Sequence, residues 1–314
     1  MGSISILVLC YNHEDFLEIA LNSLSTLPAF VEVIVADDAS KDKSPEILRR
    51  WQTRFPQWKF VFHEENMGNC RTFNELLSMS NGDWILDFAT DDILFPDKLL
   101  DWVAMAESKP DCGFCYAEGL VFRNETGPFK PYSQLRSLEE YPEGRILNRL
   151  FEPSFICPPA VLFSRKALER VGAYNESLAY EDFDVWLRIA REFPVYRFNE
   201  AVIAYRKHPD SMSASVSKKR NARLLDSTIQ IFASVMQWPE LKPMPKPMLK
   251  FLRYHLRLCF YLQLPKQAKA FFQLLKDAGQ NRGIDSVLCL MAGMPFPIYK
   301  LYSAQLWLRE KMGL

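Results

Sequence analysis

Asp83 to Pro96, DWILDFATDDILFP, sets an apolar strand directly against two adjacent carboxylates, Asp91 and Asp92. Trp84, Ile85, Leu86, Phe88 and Ala89 predict a mostly buried strand, opened by Gly82 and closed by the acidic turn. The carboxylate pair therefore falls at the carboxyl end of a strand. In an open α/β sheet that edge is where ligands bind, and two neighbouring carboxylates there repel unless a cation or hydrogen-bond donors compensate them. A hard divalent ion is the simplest compensation, because Mg²⁺ or Mn²⁺ takes oxygen ligands and joins protein carboxylates to nucleotide phosphates. The alternative is a solvated Asp-Asp turn that caps a helix beginning near Pro96.

Two earlier segments repeat the pattern. Val31 to Ala36, VEVIVA, is a β-branched run that stops at Asp37, Asp38, Ala39 and Ser40, with Asp42 just beyond. Ile4 to Leu9 ends in the polar turn Cys10, Tyr11, Asn12, ahead of a predicted helix carrying Phe16, Ile19, Ala20, Leu24 and Leu27. Strand, helix, strand, helix, strand is the parallel α/β order, and right-handed crossovers bring such strand ends to one edge of the sheet. No GxGxxG follows the first strand and no GxxxxGK[ST] occurs anywhere. Dinucleotide oxidoreductases and P-loop enzymes are thereby set aside.

Six spaced motifs in order carry a family resemblance: SILVLCYNHEDFLEIALNSL, VIVADDASKD, NMGNCRTFNELL, DFATDDILFPDKLL, YEDFDVWLRIA and AYRKHPDSMSAS. The chain resembles glycosyltransferase family 2, inverting nucleotide-sugar transferases of the GT-A fold, over roughly its first two thirds. The resemblance implies an α/β, GT-A-like open mixed sheet flanked by helices. It also implies transfer from a nucleotide sugar, a UDP-sugar by expectation, to a hydroxyl of a glycan or lipid-linked glycan, with Mn²⁺ or Mg²⁺, in cell-surface polysaccharide synthesis.

Carried over residue by residue, the resemblance has Asp38 hydrogen-bond the nucleobase, with Leu9, Tyr11 and Asn12 forming the other wall. Ser40 and Asp42 read better as turn and capping residues. Arg71 falls where the family keeps residues near the nucleotide, and a helical surface arginine is the other reading. Asp91 would face the ribose or sugar and Asp92 the metal, with Thr90 standing where the family often has a third acid. Asp182 would be the catalytic base, accepting the acceptor's proton in a single inverting displacement. Its structural alternative is an N-cap, since the helix that follows carries Phe183, Trp186, Leu187 and Ala190 on one face. His208 matches a loop histidine that some GT-A enzymes use as a further metal ligand, and it could instead pack against the nucleotide. Arg206 and Lys207 could close over the diphosphate.

A catalytically silent nucleotide-sugar-binding protein of the same fold remains an alternative. A sugar-phosphate nucleotidyltransferase is another, although CYNHED lacks the Gly-rich basic loop expected there. Cys112 and Cys115 form a CxxC inside a strand-like run with no second pair, so buried reduced thiols are expected rather than a zinc site.

The formal net charge of 0 conceals a division. Residues 1–217 hold 22 Lys and Arg against 33 Asp and Glu, net −11, and residues 218–314 hold 16 against 5, net +11. A catalytic domain over 1–217 and a basic helical region over 218–314 are expected. The N-terminus begins a core strand without a signal-like n-region, which points to the cytoplasm. Pro295 and Pro297 interrupt the last apolar stretch, so a peripheral helical appendage on an anionic membrane surface is expected rather than a transmembrane helix. Docking of this region on the acidic core is the competing expectation. No motif supports nucleic-acid binding.

Overall fold

The computed structural model describes residues 2–124, 127–135, 141–152, 155–209, 211 and 222–294. The chain divides into two compact units, Met1–Lys207 and His208–Leu314. The boundary expected at Lys218 lies outside the described residues.

The first unit is built on a mixed sheet of nine strands among the described residues, with helices on its flanks. Strand β1 (Ile4–Cys10) is buried at all seven positions, as its continuous apolar run requires of a central strand covered on both faces. It pairs in parallel with β2 (Glu32–Asp37) on one side and β4 (Trp84–Ala89) on the other, so that Val8 lies opposite both Val35 and Phe88. Beyond β2 lies β3 (Lys59–Phe62), also parallel. On the far side come β8 (Val161–Ser164), antiparallel to β4, then β6 (Phe114–Phe122), β9 (Val195–Arg206) and the short β5 (Ile93–Leu94). The two-residue β7 (Lys130–Pro131) pairs with β6. Gly82 opens β4 because a side chain there would collide with the backbone of Ile4 and Ser5.

Helix α1 (Leu17–Leu24) buries Leu17, Ala20, Leu21 and Leu24. Phe16 and Ile19, expected on that face, are half-buried, so the inward stripe is one position later than read from the sequence. The other helices of the unit are α2 (Ser44–Arg54), α3 (Asn69–Met79), α4 (Pro96–Glu107), α5 (Arg165–Val171) and α6 (Asp182–Glu192). Phe95, not an aspartate, occupies the N-cap of α4, which removes the capping explanation for Asp91 and Asp92. The CxxC pair is buried and reduced, as expected. Cys115 Sγ takes the Trp102 indole N–H at 3.2 Å, and burial pushes the Cys112 thiol up to about 12.

The second unit, over its described residues, consists of α7 (Arg223–Val235), α8 (Lys246–Leu262), α9 (Pro265–Asp277) and α10 (Gly283–Met291). Phe232 of α7 stacks on Phe251 of α8 at 5.2 Å, and the His255 ring lies 5.4 Å from Phe271 of α9. Burial pushes His255 down to about 4, so it serves as a neutral core residue. Among the described residues, no helix is long and apolar enough to cross a membrane. The final stretch bearing Pro295 and Pro297 lies outside them.

Candidate active site

The loops leaving β1 and β2 are stitched into one lip. The Asp38 amide donates to Cys10 O at 2.9 Å, and the Asn12 amide donates to Ser40 Oγ at 2.9 Å. In return the Lys41 amide donates to Asn12 Oδ1 at 2.7 Å. Asn12 holds a left-handed backbone, φ 54°, which asparagine tolerates better than most residues. Asp42 accepts the amides of Glu14 and Ser44, both at 2.9 Å, so Ser40 and Asp42 are the turn residues expected of them. Leu9 is buried under this lip and Tyr11 is 45% exposed on it.

Asp38 is buried behind the lip, with Oδ1 accepting the Met67 amide at 2.7 Å and Oδ2 the Gly68 amide at 2.8 Å. The carboxylate expected at the nucleobase thus braces the turn after β3. Leu9, Tyr11, Asn12 and Asp38 are brought together, whereas Arg71 stands on the exposed side of α3, 3.5 Å from Glu176.

Strand β4 delivers Asp91 and Asp92 to the same edge. Thr90 donates through both its amide and its hydroxyl to Leu9 O, at 3.1 and 3.2 Å, and His13 Nδ1 lies 2.8 Å from the Thr90 hydroxyl. The two carboxylates part from there. Asp92 is 3% exposed and turns Oδ1 to the Arg206 amide of β9 at 2.8 Å, while Asp91 is half-buried. Burial and then the Asp91 charge drive the Asp92 carboxyl well above the carboxylate range, and Arg206 only partly opposes them. Asp92, expected to face a metal, is therefore a buried acid holding β9, and Asp91 is the more accessible of the two. Arg206 is also buried, its guanidinium 4.6 Å from the Phe16 ring and 4.5 Å from the Phe122 ring, with Nε donating to Asp91 O. It is wedged under the turn, not placed over an open diphosphate position as expected. His208 belongs to the second unit.

Asp182 is the first residue of α6, with Glu181 in the capping position, and its Oδ1 accepts the Phe183 amide at 2.6 Å. The positive end of the helix dipole favours its charge, yet burial outweighs this and raises the carboxyl above its ordinary value. Two further acids couple to it. Burial, the Asp182 charge and the Asp87 charge push Glu181 up to about 8, and burial pushes Asp87 up to about 7 although the Tyr174 hydroxyl donates to it at 2.8 Å. Glu181 Oε2 is buried without a hydrogen-bond partner among the described residues, which suits a neutral carboxyl. The assembly is braced from behind: Tyr174 stacks on Phe73 at 3.8 Å, and Asn74 bonds both the amide and the carbonyl of Tyr174. Arg188 ties Asp184 to the carbonyls of Val171 and Ala173.

Asp87, Tyr174, His13 and His63 were not anticipated as site residues. Asp87 had a signal, being the one charge inside an otherwise apolar strand, where an unpaired acid is costly. Tyr174 and the two histidines had none, because their partners are distant in sequence.

The family model described as Glycosyl transferase family 2 matches residues 5–172, more than half of the chain. An uncharacterised glycosyltransferase of Methanocaldococcus jannaschii is 24% identical over 226 residues, which span 69% of this chain and 75% of that protein. WcaA of Escherichia coli, which its name assigns to colanic acid biosynthesis, is 27% identical over 192 residues, 60% of this chain and 66% of that protein. Among solved structures, the mannosyltransferase PcManGT of Pyrobaculum calidifontis in complex with GDP-Man and Mn²⁺ is similar with a TM-score of 0.59 at 19% identity, covering 98% of this chain and 80% of that one. TarS 1-349 of S. aureus in complex with UDP-GlcNAc is similar with a TM-score of 0.65 at 17% identity, covering 91% and 83%. The sheet, its helices and the motifs along its edge agree with these likenesses: the fold is GT-A-like, and the chain belongs to glycosyltransferase family 2.

Proposed function

We propose that the chain is an inverting transferase that moves a sugar from a UDP-sugar to a hydroxyl of a glycan or lipid-linked glycan, in cell-surface polysaccharide synthesis. The observation that carries this reading is Asp182, a carboxylate at a helix N-terminus whose proton affinity burial has raised. A raised carboxylate is a better general base for a hydroxyl than an ordinary one. Asp182 would take the acceptor's proton as the hydroxyl attacks the anomeric carbon, and Asp87, Tyr174 and Glu181 would hold it in place. Tyr11, Asn12, Leu9 and Asp38 would bound the nucleobase, Asp38 through the turn it braces. Arg71 would reach the diphosphate by leaving Glu176. The UDP-GlcNAc bound to TarS, the GDP-Man bound to PcManGT and the name of WcaA support the donor class and the pathway.

A divalent cation fits the Asp91–Asp92 turn, because it would offset the Asp91 repulsion that adds to burial in raising Asp92. Among the described residues no three His, Cys, Asp or Glu side chains are grouped to hold a metal, and none need be: Mg²⁺ or Mn²⁺ is commonly held by one or two carboxylates plus substrate phosphates and water. Asp91 would be the ligand, and a role for His208 rests on the resemblance alone. When bound, the ion would offset the charge of the departing diphosphate.

Incubating the full chain with a panel of nucleotide sugars and Mn²⁺ tests the donor reading. Metal-dependent release of UDP from at least one UDP-sugar is expected. Binding without any turnover, with acceptors supplied, would favour the silent alternative.

The same reading puts the enzyme in the cytoplasm, on the inner face of an anionic membrane. Helix α10 supports this, since Ile284, Val287 and Leu290 are exposed on a region carrying excess positive charge. Each Lys or Arg that reaches an anionic surface contributes about 1 kcal/mol. The full chain is expected to sediment with anionic liposomes at low salt, and the pair Val287→Asp and Leu290→Asp to sediment much less. Wild-type protein left in the supernatant would end the membrane reading.

A further inference from the structure

We propose that His63 is a positioning residue for the nucleobase side of the site: as an imidazolium clamped between Asp38 and Glu75, it fixes the turn Asn66 to Gly68 and couples donor affinity to pH. The inference rests on the donor reading above.

His63 follows β3 and its amide donates to Asp37 O at 2.9 Å, so the ring is delivered to the same sheet edge as the lip. The side chain is 6% exposed. Nδ1 lies 2.9 Å from Asp38 Oδ1, and Nε2 lies 2.8 Å from Glu75 Oε2 on α3. An ionised carboxylate only accepts hydrogen bonds, so ionised partners on both ring nitrogens require both nitrogens to donate, and only the imidazolium does so. A neutral ring would turn one lone pair towards a carboxylate.

Asp38 passes the constraint on. The same carboxylate holds the Met67 and Gly68 amides, and Asn66 Nδ2 donates to Asp38 O at 3.1 Å. Gly68, at φ 85° in the left-handed region, then opens α3, and the Thr72 amide returns to Gly68 O at 3.1 Å. One imidazolium thus joins the end of β2, the turn after β3 and the second turn of α3. The turn borders a cavity of about 550 Å³ lined by His63, Glu64, Glu65 and Met67.

The charged groups around the ring are mostly acidic. Asp38 faces it from just beyond β2, Glu75 from α3, and Glu64 and Glu65 follow it in the loop, while Arg49 of α2 lies over the neighbouring Phe62 ring at 5.1 Å. Burial works against the charged ring, and the Asp38 and Glu75 bonds outweigh it, raising His63 above its ordinary 6.5. The clamp is therefore complete below that ordinary value and is lost as pH rises through the raised one. Donor binding should therefore weaken on the alkaline side.

The test measures UDP affinity of the full chain by calorimetry across neutral and alkaline pH, with NMR observation of the histidine rings. Wild type is expected to carry His63 with both ring nitrogens protonated at neutral pH, and the Met67 and Gly68 amide resonances are expected to titrate with the same midpoint. His63→Gln offers one donor and no charge, so UDP affinity at neutral pH should fall about 10-fold and lose its alkaline slope. Glu75→Gln, at a half-exposed position, should shift the alkaline drop to lower pH without unfolding the chain. A neutral His63 at pH 7, or a His63→Gln chain with wild-type affinity and slope, overturns the proposal. Failure of the donor reading is distinguishable: the chain would bind neither UDP nor GDP at any pH while the Met67 and Gly68 amides still titrated, which retains the clamp and overturns its coupling to the donor.

Discussion

Asp182→Asn is expected to lower turnover by about 10²- to 10⁴-fold with donor affinity nearly unchanged, the loss that follows when a positioned general base can no longer accept a proton. Asparagine keeps an oxygen to accept the Phe183 amide and remains a good residue for a helix start, so the fold and the beginning of α6 should survive. The pH profile carries a second signature. As a base Asp182 would work as the carboxylate, so the wild-type rate should fall as pH drops through its raised value, and that limb should vanish in the variant. Asp87, Glu181 and Asp182 titrate as a group, so the limb reports the cluster rather than one residue. Single-turnover rates and UDP affinity, measured side by side, check the split. A variant that retained most of its transfer rate would exclude Asp182, and Glu181 would become the candidate. Asp184 would not, because Arg188 holds its buried carboxylate in an ion pair at 2.6 Å.

The strand ends were legible because each central strand is a mostly apolar run that stops at a cluster of polar turn residues. VEVIVADD and WILDFATDD carry that punctuation in the chain itself. The far half of the sheet was not legible. The order β4–β8–β6–β9 mixes antiparallel and parallel pairings between segments distant in sequence, Trp84 lying opposite Ser164 and Phe122 opposite Arg206, and nothing local in Val161–Ser164 specifies β4 as its neighbour. Asp182 could be singled out as a candidate from its motif and its helix, yet its two acidic companions could not be weighed from sequence, since burial raises Glu181 and Asp87 only in the folded chain. Which of Asp91 and Asp92 faces solvent could not be read from sequence for a related reason. Adjacent residues at the end of a strand point to opposite sides, and which side is solvent depends on where β9 lies.

Asp91 and Asp92 should therefore respond in opposite ways to substitution. Asp91→Ala removes the accessible carboxylate and is expected to leave stability nearly unchanged while lowering Mn²⁺-dependent UDP affinity by about 100-fold, a few kcal/mol of cation stabilisation. It should also let Asp92 ionise more readily, since the Asp91 charge is part of what raises it. Asp92→Ala instead strands the buried Arg206 amide, which costs about 1–3 kcal/mol and loosens the β9 end of the sheet. Asp92→Asn separates charge from shape, because its amide oxygen can still accept that N–H. Asp92 has a folded value above its ordinary 3.8, so the chain is most stable below that pH with respect to this group and loses stability as pH rises through the folded value. Asparagine abolishes the loss, and Asp92→Asn should be at least as stable as wild type at neutral and alkaline pH, with metal-dependent UDP binding retained. Thermal unfolding at several pH values and UDP titrations with and without Mn²⁺ check all three. If Asp92→Asn loses metal-dependent binding while Asp91→Ala keeps it, the buried acid is the ligand after all, and the turn must open when the donor binds.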